Sequence, residues 1–181
     1  LRVLPGQILQ NGSFRGVSPG ILNNIRFDEK DIITLKRLKS AELVVPVYTR
    51  SVSAEVGKGS ETGDLYAADE GVFEALNAIS EYGTVFTKSD VEKRSKVVVL
   101  GPKIAEKLFG SQEQAIDKNV KVEGQTFRVI GVLETKGGGG FGGPDLDSFI
   151  YMPFKTAYVF NTDKEIFAII VKANTEVSID E

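Results

Sequence analysis

The 181-residue chain has no cysteine, no histidine and no tryptophan, and a single methionine, Met152. Without cysteine there is no disulfide, no thiolate nucleophile and no zinc–sulfur site. Without histidine the commonest general base and the commonest transition-metal ligand are missing, which excludes a Ser-His-Asp triad and a His-based zinc protease. The chemistry left is that of carboxylates and lysines. Basic residues do not predominate: 22 Lys and Arg face 25 Asp and Glu, for a formal net charge of −3. With no cationic excess to neutralise a phosphate backbone, nucleic acid is not an expected partner. No apolar run approaches the ~20 residues that span a bilayer, and no signal-peptide pattern is present. Missing cysteine suits a cytosolic protein and equally an extracytoplasmic one.

What is present is 41% hydrophobic residues, enough for one sizeable core or two small ones. Leu1-Arg2-Val3-Leu4 alternates before a Pro5-Gly6 turn and is predicted as a strand; residues 7–20, with four turn formers and little periodicity, read as a loop. Asp28 is the predicted N-cap of a first helix, with Asp31 in an imperfect capping-box position, Ile32, Leu35 and Leu38 on one face, and Lys36, Arg37 and Lys39 in the last turn. Residues 43–48 form a β-branched strand in which Pro46 argues for an edge or bulge. Residues 49–68 alternate as a solvent-facing hairpin around Gly57-Lys58-Gly59-Ser60. Asp69 is predicted to cap a second helix with Val72, Phe73, Leu76 and Ile79 on its buried face, closed by Gly83. Thr87-Lys88-Ser89-Asp90 begins a short turn or helix, and Lys88, Asp90, Glu92, Lys93 and Arg94 read as solvated charge.

The pattern sharpens from residue 96. Lys96–Leu100 is a buried strand, Pro102 fits the first position of a helix carrying Ile104, Ala105, Leu108 and Phe109, and Gly110 ends it. Residues 119–122 and 126–130 flank a Glu123-Gly124-Gln125 turn as a hairpin. Residues 149–152 are a strand, Pro153 starts a helical turn through Ala157, and Ile166–Val171 is a last buried strand. The expected class is α+β, mostly antiparallel, with a few short helices.

Between two of these strands lies the tract Gly137, Gly138, Gly139, Gly140, Phe141, Gly142 and Gly143. Gly138, Gly140 and Gly143 spell G-x-G-x-x-G, but a dinucleotide site needs a helix next, and Pro144-Asp145-Leu146-Asp147 and a strand follow instead. Two carboxylates there would repel a phosphate. Asp145-x-Asp147 resembles a divalent-cation pair, yet such ions want several oxygens at once, and two aspartates after a proline also serve as turn formers. A linker fits poorly because strands adjoin both sides. A long mobile hairpin loop explains most of the pattern, since glycine lowers the cost of sampling many backbone states. Phe141 either anchors a partner or folds back onto the core. The glycine tract is therefore the candidate contact site, with no catalytic, metal or cofactor-binding residue predicted and no enzymatic activity expected.

The run "VVVLGPKIAEKLFG", then "IDKNVKVEGQTFRVIGVLETKG" and "DSFIYMPFKTA", resembles the extracytoplasmic (periplasmic) core domain of MacB-type, FtsX-like ABC transporter permeases. Weaker likeness appears in "LRVLPG", in "FDEKDIITLKRLKSAELVVPV" and in "EYGTVFTKSD", where Thr84 stands in place of a usual arginine. The resemblance implies two subdomains: a discontinuous porter-like part, 1–83 plus 160–181, and a sabre-like insertion, 84–159. It implies a membrane-embedded parent protein with this domain on the extracytoplasmic side of the cell membrane. It further implies flanking membrane helices, an ATP-binding subunit or domain in the cytoplasm, a second permease subunit and an extracytoplasmic adaptor. A start at Leu1 with the only methionine at 152 suits an excised piece, and an end at Glu181 suits truncation before a helix. The expected function is to transmit conformational change between membrane helices and an extracytoplasmic partner or substrate in export. The alternatives are a free-standing extracellular binding module and a carboxylate-metal-dependent enzyme using Asp145 and Asp147.

Overall fold

A computed structural model of the protein describes residues 2–3, 27–137 and 145–174. In chain order the strands are β1 (Arg2–Val3), β2 (Ala41–Val56), β3 (Gly59–Ala68), β4 (Ser80–Gly83), β5 (Val97–Leu100), β6 (Asn119–Val122), β7 (Gln125–Leu133), β8 (Phe149–Pro153) and β9 (Ala168–Ala173). The helices are α1 (Glu29–Lys36), α2 (Val72–Ala75), α3 (Lys88–Lys93) and α4 (Pro102–Phe109). This is the expected α+β mixture, and among the described strands only β3–β8 and β5–β7 pair in parallel.

Six of the strands close on themselves. β2 pairs β3, β3 pairs β8, β8 pairs β5, β5 pairs β7, β7 pairs β6, and β6 returns to β2 through Ala54↔Val122 and Glu55↔Lys121. The period of two in each strand gives this ring an inside and an outside. Val52 and Ala54, Leu65 and Ala67, Val98 and Leu100, Val120 and Val122, Phe127 and Val129, Ile150 and Met152 all join one buried cluster. Every ring strand contributes to it, so this is the interior, and α4 adds Ile104 and Ala105. The alternate residues Tyr66, Val97, Val99, Phe149 and Tyr151 form a second cluster outside, packed with Phe73 and Phe86. Ring contacts are specific there: Phe73 meets Phe86 edge-on with centroids 4.7 Å apart, a geometry the aromatic quadrupole favours. The sheet is thus buried on both faces, and the four residues of β5 are all buried.

Closure explains several departures from the sequence expectations. The 49–68 hairpin turns at Gly57-Lys58 as expected, but it is not wholly solvent-facing, because β6 seals its tip and Val52 and Ala54 are buried. Pro46 lies within a paired strand, one residue before the β3 ladder begins at Val47↔Ala68, so there the strand has β9 alone beside it. Asp69 does not cap α2: Gly71 is the cap residue, and the Asp69 backbone carbonyl accepts from the Val72 N–H at 3.0 Å. The helix stops after one turn because residues 80–83 are taken into the sheet as β4 against β7, leaving Ile79 exposed. Leu38 falls beyond α1 and is exposed. Pro153 ends β8 rather than starting a helix; the 3-10 turn begins at Thr156.

Other local signals read through directly. The capping box of α1 is complete: Asp28 accepts from Lys30 and Asp31, and Asp31 accepts from the Asp28 N–H at 2.8 Å, satisfying first-turn donors. Pro102 opens α4 and Gly110 closes it at φ 82°, the left-handed region that glycine enters without cost. The charged stretch at 88–93 is α3, whose Asp90 accepts from the Thr87 N–H at 2.8 Å; that bond holds the Asp90 carboxyl below the usual carboxylate range.

Candidate functional site

The ring has two ends. At one, β2 extends beyond the ring with β9 and β1 beside it, and Ala41 pairs Ala173. At the other lie the Gly57-Lys58 turn, the start of α4 and both stems of the glycine tract. The incoming stem is the end of β7 and the outgoing stem is the 3-10 turn Leu146–Ser148 ahead of β8.

Asp147 ties the stems together. Its side chain is 1% exposed, and its Oδ1 accepts from the Lys136 N–H at 2.9 Å while Oδ2 accepts from the Gly137 N–H at 3.1 Å. A buried carboxylate is tolerated only when it is hydrogen-bonded or paired, and this one is both: Lys103 Nζ lies 3.9 Å from Oδ2. Lys103 makes its closer contact, 2.9 Å, with Oδ2 of Asp145. Asp145 also caps the 3-10 turn, accepting from the Asp147 N–H at 3.3 Å and the Ser148 hydroxyl at 3.0 Å. The Lys103 hydrogen bond, with Ser148 behind it, holds the Asp145 carboxyl below the usual carboxylate range and raises the Lys103 ammonium above the lysine range.

Two further contacts fix the outgoing stem. The Gly101 N–H donates to the Phe149 carbonyl at 2.8 Å, and a Cβ at Gly101 would sit 2.4 Å from the Asp147 carbonyl oxygen. Tyr151 Oη donates to the Leu146 carbonyl at 3.3 Å, and burial pushes its phenol well above the ordinary tyrosine range. On the incoming side, Lys136 Nζ donates to the Asn77 carbonyl and the Glu134 N–H to that of Ile79.

The structure therefore assigns Asp145 and Asp147 to the loop stem, as turn cap and clasp. Among the described residues no three acidic side chains converge as a cation site. Gly137 takes φ 64° with open space where a side chain would be. Gly138, Gly139, Gly140, Phe141, Gly142 and Gly143 lie outside the described residues, and with them the two readings of Phe141. Sequence reasoning missed Lys103 and Gly101. A signal existed for Lys103: a cation in the first turn of α4 opposes the helix dipole, which points to a specific acidic partner.

The described residues form an α+β sheet domain with both stems of the glycine tract at one end of its ring. The chain matches the family model of the MacB-like periplasmic core domain over residues 1–181 and belongs to that family. It is 34% identical over 154 residues to the macrolide export ATP-binding/permease protein MacB of Chlorobaculum tepidum, which covers 78% of this chain and 22% of that protein. It is 29% identical over 148 residues to the pyoverdine export ATP-binding/permease protein PvdT of Pseudomonas aeruginosa, covering 81% and 22%. The chain thus spans about a fifth of the length of the curated relatives it matches. The periplasmic region of MacB from Actinobacillus actinomycetemcomitans superposes with a TM-score of 0.78 at 25% identity, over 98% of this chain and 76% of that one. The extracellular domain of the transporter YknZ from Gram-positive bacteria shares the fold, with a TM-score of 0.74 at 22% identity over 97% and 84%. The chain is the periplasmic core domain of a MacB-like ABC transporter permease. No helix among its described residues is long and apolar enough to cross a membrane.

Proposed function

We propose that this domain transmits conformational change between flanking membrane helices and an extracytoplasmic partner or substrate during export. The observation that supports this reading is the separation of the two ends of the sheet. β1 and β9 run antiparallel side by side at one end, where flanking helices would attach. The stems of the glycine tract stand at the other end: Phe149 is level with Ser51 through Asp64, roughly 20 Å along β2 from Val45 and Pro46, which lie level with the β1–β9 pair, at ~3.3 Å per residue. An unbroken series of strand pairings, β9–β2–β3–β8, joins the two. Displacement at the chain ends is carried through that hydrogen-bonded sheet because packed cores deform little.

In this reading ATP is hydrolysed by a cytoplasmic subunit or domain and not by this one. A second permease subunit and an extracytoplasmic adaptor complete the assembly, and Gly137–Gly143 is the contact loop. The division into a porter-like part, 1–83 plus 160–181, and a sabre-like part, 84–159, is part of the same proposal. Both parts supply strands to the ring, so they would move as one body.

The test uses the whole protein. A single cysteine placed at Lys58, in a domain that has none, should react with a membrane-impermeant maleimide on intact cells. Shortening the glycine tract to a tight turn should lower export while leaving ATP hydrolysis measurable. Labelling only after membrane disruption, or export unchanged by the shortened tract, would sink the proposal.

A further inference from the structure

At the ring end away from the glycine tract, the lead-in to β5, the start of β7 and the 3-10 turn Thr156–Val159 enclose a recess of about 340 Å³. Arg94, Lys96 and Lys155 line it together with Phe127, Tyr158 and Val159. No carboxylate is in that lining, although the chain as a whole is net negative. A fourth cation, Lys164, stands 5.6 Å from the centroid of the Tyr158 ring, and the Arg94 guanidinium stands 5.6 Å from the same centroid. Among the described residues none of the four cations makes a salt bridge; Lys96 reaches only the Gln125 side-chain carbonyl at 3.5 Å. Glu29 and Asp69 act on Tyr158 from the side of α1 and the end of β3; Asp69 is paired with Lys36 at 3.9 Å and also feels the charge of Lys155.

The walls are fixed. Thr156 is buried and its hydroxyl donates to the Ser95 carbonyl at 3.0 Å, pinning the 3-10 turn to the β5 lead-in. Arg94 ends α3 in the left-handed region at φ 53°, and Phe127 is anchored in the ring interior. Arg94, Lys96 and Lys155 share one lining and repel one another, and an anion seated among them removes that cost. The ring of Tyr158 and the half-exposed Val159 side chain offer apolar surface to whatever carries the anion. The volume is at the lower end of those that hold small molecules.

We propose that this recess binds a small anionic amphiphile, a carboxylate, sulfonate or phosphate group on a compact aromatic or apolar body. The proposal does not depend on the coupling role, because it concerns the 181-residue chain alone. The probe is 8-anilinonaphthalene-1-sulfonate, followed by its fluorescence, with the uncharged N-phenyl-1-naphthylamine as the comparison. Saturable binding of the sulfonate is expected, with the neutral compound weaker by about tenfold or more. The double variant Lys96→Glu, Lys155→Glu changes two exposed side chains and is expected to weaken the sulfonate about tenfold; because Lys155 also acts on Asp69, Lys96→Glu alone is the stability control, expected to weaken the sulfonate about threefold with an unchanged melting temperature. Equal affinity for the neutral compound, or no effect of the double variant, would overturn the proposal. So would displacement by inorganic phosphate alone at the same concentration, which would make this a plain anion site. Stronger displacement by an oligoglutamate peptide would instead mark it as a surface for an acidic protein.

Discussion

Replacing Asp147 by alanine tests the clasp that holds the glycine tract to the ring. The carboxylate is buried and accepts two backbone N–H groups, at 2.9 and 3.1 Å, with Lys103 at 3.9 Å. Hydrogen bonds to a charged group contribute about 1.5–3 kcal/mol each. Lys136 and Gly137 are themselves exposed, so water replaces part of what their N–H groups lose. The net cost expected is therefore about 2–3 kcal/mol rather than the sum of two full bonds. With a urea slope of about 2 kcal/mol per molar for a domain of this size, the midpoint falls by roughly 1 M. Trypsin should also cut after Lys136 faster than in the unaltered chain, because the stem is freed before the ring unfolds. Asp147→Asn keeps one good acceptor and should lose about half as much. A loss under about 0.5 kcal/mol, with unchanged cleavage at Lys136, would refute the idea that Asp147 fastens the loop.

Gly101→Ala places a methyl group 2.4 Å from the Asp147 carbonyl oxygen and 2.6 Å from its carbon; backbone must move, and a loss of about 2–3 kcal/mol in chemical denaturation is expected. Phe127→Ala opens a cavity inside the ring, where the side chain is 1% exposed, and should cost about 3–5 kcal/mol by the same assay. The Asp145 carboxyl is held below its ordinary range by Lys103, so its contribution is complete above the unfolded carboxylate value and disappears as pH falls through the lower folded one. The stability gap between the unaltered chain and Asp145→Asn should be open at pH 7 and close in acid, read from melting temperatures across pH. Asp69 behaves in the opposite sense: burial raises its carboxyl, so ionisation opposes folding. Asp69→Asn should raise the melting temperature at pH 7, with the gain shrinking as pH falls through the range where Asp69 protonates.

Elements whose cause is local were legible in the sequence. The capping box of α1, the proline-to-glycine span of α4, the Glu123-Gly124 turn and the apolar run of β5 each follow from residues within one or two turns of one another. The motif run from 97 to 157 sufficed to place the chain in its family. Where the local signal and the sheet disagreed, the sheet won. Ile79 has helical spacing from Phe73 and Leu76, yet pairing with β7 took the following residues into β4. The aspartates after the glycine tract were readable as turn formers or ion ligands. Their partner Lys103, 42 residues upstream of Asp145, is one that no local pattern shows.

The sequence alone determined the periodicities, the turn positions and the absence of thiol and imidazole chemistry, because each is set by the identities of adjacent residues. Only the tertiary structure decided that six strands close into a ring, that Asp147 is buried across the stems of the glycine tract, and that Arg94, Lys96 and Lys155 line one recess with Tyr158. Those depend on contacts between residues tens of positions apart, and no short-range pattern records which distant partner a side chain will meet.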